Sequence, residues 1–358
     1  MKALSSDEVL KQSRGAMAQW EPRWREDCKR MKVVFEQRGK PTHRDFLLRG
    51  TGRRCVLVGL GASLEKQIPY LREYQNDVDI MCVDKGFQAL MEKGITPKLV
   101  MMADALVDYD KYLKPWIERT TRTILVCCVT GNPLWPENWR GPVYMYVNKD
   151  NINSEVDFSA LSGVTEAIPA GSNVGNALVC FTTQLFGYDR FLLIGFDFCW
   201  APNGNYYAFQ WESGKRGYMK HIDALSIKGE WVYSSANLNF SSRWLKMYLQ
   251  SITSARIAVR NCSSPTILEW PYSELLQQLK MARAAKQRAW TQQEAEQFFA
   301  GHAQQVDLRP DQLQDLNGLL SAPAMQPLTV SVRSVTKECV EFAKARIPQA
   351  PQPVGGTA

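Results

Sequence analysis

From Arg54 onward the chain alternates short, almost uninterrupted apolar runs with segments of helical periodicity. The runs CVLVG (55–59), DIMCVD (79–84), KLVMMAD (98–104), RTILVCCV (122–129), PVYMYV (142–147), RFLLIGFD (190–197) and ARIAV (255–259) predict strands buried on both faces. Apolar residues three and four apart predict helices between them over 64–73, 87–93, 174–186 and 238–252. Strands of this kind separated by helices imply a doubly wound, mostly parallel, Rossmann-like α/β sheet over residues 52–268. Residues 1–51 read as a helical N-terminal extension, with Trp20, Trp24, Met31 and Val34 as its contacts to the body. Residues 269–320 read as a helical C-terminal extension containing a polar helix over 272–297. Residues 321–358 read as a Pro-containing, partly disordered tail, and loss of 347–358 is expected to cost no stability.

Composition agrees with a folded chain: 45% of the 358 residues are hydrophobic and 22% charged. No stretch approaches the ~20 apolar residues needed to span a bilayer. The start MKALSSDEVLKQSRG lacks an apolar signal core, so the expected address is the cytoplasm. The net charge of +7 arises partly from a basic N-terminal stretch that includes Arg23, Arg25, Lys29, Arg30 and Arg38. Acids interrupt it at Glu21, Glu26, Asp27 and Glu36, which points to a solvated helix laced with opposite charges rather than to a nucleic-acid-binding stripe. The nine cysteines form no CxxC or Cys/His ladder, and several lie inside apolar runs, where a thiol behaves as a small hydrophobe. Nothing in the pattern sets an oligomeric state.

In an open α/β sheet the ligand lies beyond the carboxyl ends of the strands, so the residues that follow each strand carry the chemistry. The first strand runs into Gly59-Leu60-Gly61-Ala62-Ser63 and a helix. Glycines let a backbone approach phosphate closely, and Ser63 can add a hydroxyl to the free N–H groups of the helix start. A branched residue at Gly61 is therefore expected to block a phosphate without unfolding the chain. The loop is neither a Walker A nor a complete GxGxxG, because Leu64 stands at the third glycine. The next two apolar runs end at Asp84 and Asp104, a second helix start reads Gly171-Ser172-Asn173, and a later run ends at Asp197. The nucleotide-binding candidates are Gly59, Gly61, Ser63, Asp84, Gly171, Ser172 and Asn173, and the catalytic candidates are Asp104 and Asp197. Each also has a bland role as a cap or turn. The aromatic segment 200–211 reads either as a lid whose Tyr206, Tyr207 or Phe209 stacks on a flat ring or as a satellite cluster under a long loop. His221 beyond it reads as a surface histidine, with general-base chemistry as the alternative.

The blocks GLGASL, VDKG, ITPKLVMMADA, GSNVGNALVCFTTQLFGYDRFLLIGFDF and VYSSANLNFSSRWLKMYL, in that order over about 54–265, resemble the 6-hydroxymethylpterin diphosphokinase MptE-like family. That family includes archaeal pterin diphosphokinases and bacterial motility accessory factors that act in flagellin glycosylation, and it is similar to bacterial sialyltransferases using a CMP-sugar. The resemblance implies a nucleotide-dependent transferase, diphosphokinase-like with Mg²⁺ and ATP, or alternatively a glycosyltransferase of the sialyl or nonulosonate type acting on a glycan or small-molecule acceptor. It implies Asp104 and Asp197 as the candidate holders of Mg²⁺. Ser234, Ser235, Ala236 and Asn237 stand where the sialyltransferases place a catalytic His. A third reading is a non-catalytic nucleotide-fold protein whose terminal extensions recruit partners.

Overall fold

A computed structural model describes residues 6–41, 53–149, 156–183, 188–201, 204, 207–210, 221–252 and 257–286. Its strands are β1 (Arg53–Val58), β2 (Asp79–Val83), β3 (Leu99–Met102), β4 (Ile124–Cys128), β5 (Val143–Asn148), β6 (Ala167–Ile168), β7 (Tyr188–Ile194), β8 (His221–Leu225), β9 (Trp231–Ser235) and β10 (Ala258–Asn261). The α-helices are α1 (Ser6–Gln37), α2 (Leu64–Tyr74), α3 (Asp84–Glu92), α4 (Tyr109–Tyr112), α5 (Leu134–Asn138), α6 (Phe158–Ser162), α7 (Val174–Thr183), α8 (Ala236–Ile252) and α9 (Leu275–Lys286).

Eight strands form one parallel sheet in the order β10-β7-β1-β2-β3-β4-β5-β6. The chain steps outward from β1 to β6, then α7 returns it to the far side of β1, where β7 pairs. The strand order therefore reverses between β1 and β7, and a crevice opens there at the carboxyl ends. Residues of β2, β3 and β4 are buried throughout, as their unbroken apolar runs predict for strands covered on both faces.

Several boundaries differ from the sequence expectation. β10 lies about three residues later than predicted, because an edge strand alternates buried and exposed positions and lacks a continuous apolar run. β7 stops at Ile194, since Gly195 turns the chain with φ +67°. The β8–β9 hairpin was not expected; it forms a separate antiparallel ribbon closed through Gly229 at φ +79°.

Helix α1 docks through buried Cys28, Met31, Val34 and Phe35, and Trp24 meets Phe158 edge-on at 6.3 Å. Its charges pair as the sequence suggests, Arg25 with Glu21 at 2.9 Å and Arg23 with Asp27 at 3.3 Å, each one turn apart. Arg38, just past α1, donates to the carbonyls of Pro136, Trp139 and Gly141, tying the helix end to α5 and the loop after it. On another part of the body, α2 buries Leu64, Ile68 and Leu71 where α9 buries Leu275, Leu279 and Ala282, both at helical spacing. The predicted polar helix thus begins at Leu275, and its continuation past 286, with the tail, lies outside the described residues. The eight described cysteines are buried, and none of them forms a disulfide with another described cysteine. Among the described residues no helix is long and apolar enough to cross a membrane.

Candidate functional site

The exits of β1 and β7 run side by side. Gly59 N–H donates to Ile194 O and Gly61 N–H to Gly195 O, both at 2.8 Å. A Cβ on Gly59 would collide with the Gly195 carbonyl, and one on Gly61 with the Asp197 carboxyl group. These glycines let two chain segments touch. That corrects the expectation for Gly61: the space beside it holds protein, so a branched residue there strains the fold as well as the loop.

Asp197 lies three residues past β7, beyond the turn at Gly195, and is 2% exposed. Its Oδ2 accepts the Ser63 N–H at 2.8 Å and its Oδ1 accepts the Ser63 hydroxyl at 2.5 Å. The carboxylate therefore meets the start of α2, where a helix favours negative charge. Burial pushes the Asp197 carboxyl up to about 7, with the two Ser63 bonds pulling the other way. Ser63 was expected to turn its donors to a ligand phosphate, but here both go to Asp197. The segment is braced from behind. Ser263 Oγ accepts the Phe196 N–H at 2.9 Å, and Thr266 Oγ1 donates to Phe196 O at 2.8 Å.

Asp84 is the first residue of α3, directly after β2, and is 3% exposed. Its Oδ1 accepts the Lys85 N–H at 2.7 Å, while Oδ2 has no hydrogen-bond partner among the described residues. Burial raises the Asp84 carboxyl to about 6, and the charge of Asp104 adds to it; the Lys85 N–H, the Lys85 charge and, least, the Ala103 N–H oppose this. Asp104 lies two residues past β3, is exposed, and accepts the Leu106 N–H on Oδ1 at 2.8 Å. At the second helix start, Asn173 Oδ1 accepts the Gly175 N–H at 2.7 Å and caps α7. Gly171 and Ser172 form the turn before it, with φ +51° and +60°, and Gly171 lies against the Trp244 indole, where a Cβ would not fit.

These elements enclose a pocket of about 160 Å³. Gly59, Gly61, Asp84, Asp104, Asn173 and Asp197 line it, with Lys85, Gly175, Phe196, Cys199, Tyr207 and Leu238. Of the predicted set, Ser63, Gly171 and Ser172 stand behind the wall rather than on it. Lys85, missed in the sequence reading, is the sole cationic side chain among the described lining residues. Its ammonium lies 5.1 Å from the Tyr207 ring centre and 5.9 Å from that of Tyr112. The clue was present, since Lys85 opens a helix immediately after an apolar strand. Tyr207 bridges to Gly61, and the Ala208 N–H donates to Leu60 O at 3.0 Å, so this part of the aromatic segment covers the glycine loop. Phe209 instead lies under the Lys93 ammonium, and Tyr206 is outside the described residues. The side chain of His221 is likewise outside them. Cys199 is buried near Asp197, and both effects raise its thiol, which keeps it protonated and poorly nucleophilic. Ser234 donates to Phe198 O at 2.8 Å, and Ser235 Oγ accepts the Leu238 N–H at 3.2 Å.

The donor set does not fit the expected pairing of Asp104 with Asp197 around Mg²⁺. Both Asp197 oxygens are engaged by Ser63, and among the described residues no three His, Cys, Asp or Glu side chains are grouped to hold a metal.

Residues 30–203 match the family model described as 6-hydroxymethylpterin diphosphokinase MptE-like. A solved structure, titled as MAf glycosyltransferase from Magnetospirillum magneticum AMB-1, shares the fold with a TM-score of 0.52 at 16% identity. The likeness covers 90% of this chain and 55% of that one, so this chain spans little more than half the length of the solved protein. No curated protein matches the sequence.

Proposed function

From residues 30–203 being MptE-like, we propose that this protein is a nucleotide-dependent transferase whose donor phosphates lie at the β1–β7 switch point. One observation carries the reading. Asp84, Lys85, Asp104 and Asn173, from the ends of three different elements, line one pocket at the place where strand order reverses. Lys85 supplies a cation for phosphate, and the start of α7 beyond Asn173 adds helix-terminal N–H groups. Gly59 and Gly61 keep the wall free of side chains, Gly171 and Ser172 shape the α7 entrance, and Ser63 with Asp197 fixes α2 against β7. Asp104, exposed at the rim, orients the acceptor. Pockets for whole drug-sized ligands run to roughly 300–1,000 Å³. At about 160 Å³ this one takes the phosphate end of a donor, with the rest lying along the rim. Catalysis by such a site is mainly positioning and charge neutralisation.

Two donors fit. The likeness in fold to a protein titled a glycosyltransferase supports a nucleotide-activated sugar, and the family description supports Mg·ATP, the cation then arriving with the substrate. Calorimetry and mass spectrometry against CMP-sugars, UDP-sugars and Mg·ATP decide between them. Binding with transfer of a sugar, or of a diphosphate, selects the donor. Binding without any product would instead indicate a nucleotide-binding protein that is not an enzyme.

A further inference from the structure

The two oxygens of Asp84 have different surroundings. Oδ1 is fixed by the Lys85 N–H at the first turn of α3, which sets the carboxylate plane. Oδ2, in a residue 3% exposed that lines the pocket, has no partner of hydrogen-bond geometry among the described residues, the Ala103 N–H exerting only the smallest pull on the carboxyl. A buried carboxylate oxygen without a donor is costly, and such atoms are retained where a partner arrives with a substrate. We propose that Asp84 Oδ2 is the general base of the transfer, taking the proton of the acceptor hydroxyl.

The inference rests on the transferase reading above. The acceptor O–H bond breaks as its oxygen bonds to the transferred atom, a sugar carbon or a phosphorus. The bond from that atom to the donor phosphate oxygen breaks, its electron pair leaves on the nucleotide, and the proton ends on Oδ2. Other lining groups are less suited. Asp197 already accepts two bonds from Ser63, Asp104 is exposed with Oδ1 on the Leu106 N–H, and the Cys199 thiol stays protonated. Among the described residues, the other charged groups lining the pocket are Lys85 on α3, Asp104 past β3 and Asp197 past β7. Burial and Asp104 hold the Asp84 carboxyl near 6, ionised at neutral pH yet far more basic than an ordinary aspartate.

Donor hydrolysis tests this without a known acceptor, because water takes the acceptor's place. The probes are CMP-N-acetylneuraminate, UDP-N-acetylglucosamine and Mg·ATP, with glycerol as an added hydroxyl acceptor. Asp84→Asn keeps the Oδ1 acceptor and should lower hydrolysis at least about a hundredfold, in the range of general-base effects. Its Kd for the same donor should stay within about threefold. The wild-type rate should fall below about pH 6, and that acid limb should vanish in the variant. Carbon NMR of labelled wild-type aspartates should show one carboxyl titrating near pH 6, a readout that does not require the variant to fold. Hydrolysis within tenfold of wild type, an acid limb that survives, an equal loss of donor affinity, or no such titration would overturn the assignment. So would a wild type that binds a donor but releases no product. Absence of any donor binding would instead remove the transferase reading, and the inference with it.

Discussion

Asp197 shows how far burial changes a residue. Its carboxyl sits near 7 in the folded chain against an ordinary value of 3.8, so the folded state keeps a proton that the unfolded state gives up. Its contribution to stability is complete below about pH 4 and is lost as pH rises through about 7; Asp84 acts with the same sign up to about 6. The urea unfolding free energy should therefore fall between pH 5 and pH 8, by on the order of a few kcal/mol. Asp197→Asn, which cannot ionise, should flatten that slope, and an unchanged slope would place its origin elsewhere. Lys85 makes a separate prediction. Lys85→Gln should weaken donor binding about tenfold, roughly 1.4 kcal/mol, with the melting temperature nearly unchanged. Calorimetry with retained affinity would remove Lys85 from the phosphate contacts. Of these residues the sequence marked the carboxylates, because each follows an apolar run. It could not mark their partners: Ser63 lies 134 positions from Asp197 and meets it only through the pairing of β7 with β1.

At the level of elements, the glycine loop carries a structural demand that the motif alone did not reveal. Gly61→Ala places a methyl group against the Asp197 carboxyl, in a segment that cannot shift without breaking the Gly61 to Gly195 bond. Overpacking of this kind typically costs 1–3 kcal/mol. The variant should melt at lower temperature even without ligand, whereas a loop reserved for phosphate would lose only affinity. The start of α8 offers a milder change. Ser235→Ala removes the acceptor for the Leu238 N–H and should cost about 1 kcal/mol in chemical unfolding. Central strands and long helices were legible because their periodicities are local. The β8–β9 hairpin escaped because its outer face carries Leu225, Trp231 and Tyr233, all more than half exposed, so hydrophobicity did not divide the two faces.

Over the whole molecule, helix α1 supports stability at a distance from the pocket. Met31 on α1 is fully buried, and none of the described side chains of that helix lines the pocket. Met31→Ala should cost about 2–5 kcal/mol of unfolding free energy. Donor affinity by calorimetry should not change, and a matching loss of affinity would show that α1 supports the site. The sequence by itself determined the α/β class, the two-faced burial of the central strands and the arrival of Asp84, Asp104 and Asp197 near strand ends. Those follow from unbroken apolar runs and from apolar spacings of three to four positions, which the linear chain already contains. Only the tertiary structure decided that α7 carries the chain back past β1, opening the crevice between β1 and β7. It also decided that Asp197 turns to Ser63 while Asp84, in the pocket wall, keeps one oxygen without a hydrogen-bond partner among the described residues. These outcomes depend on which strands become neighbours, a choice made by burying distant apolar faces together, and no local pattern encodes which carboxylate then finds a donor.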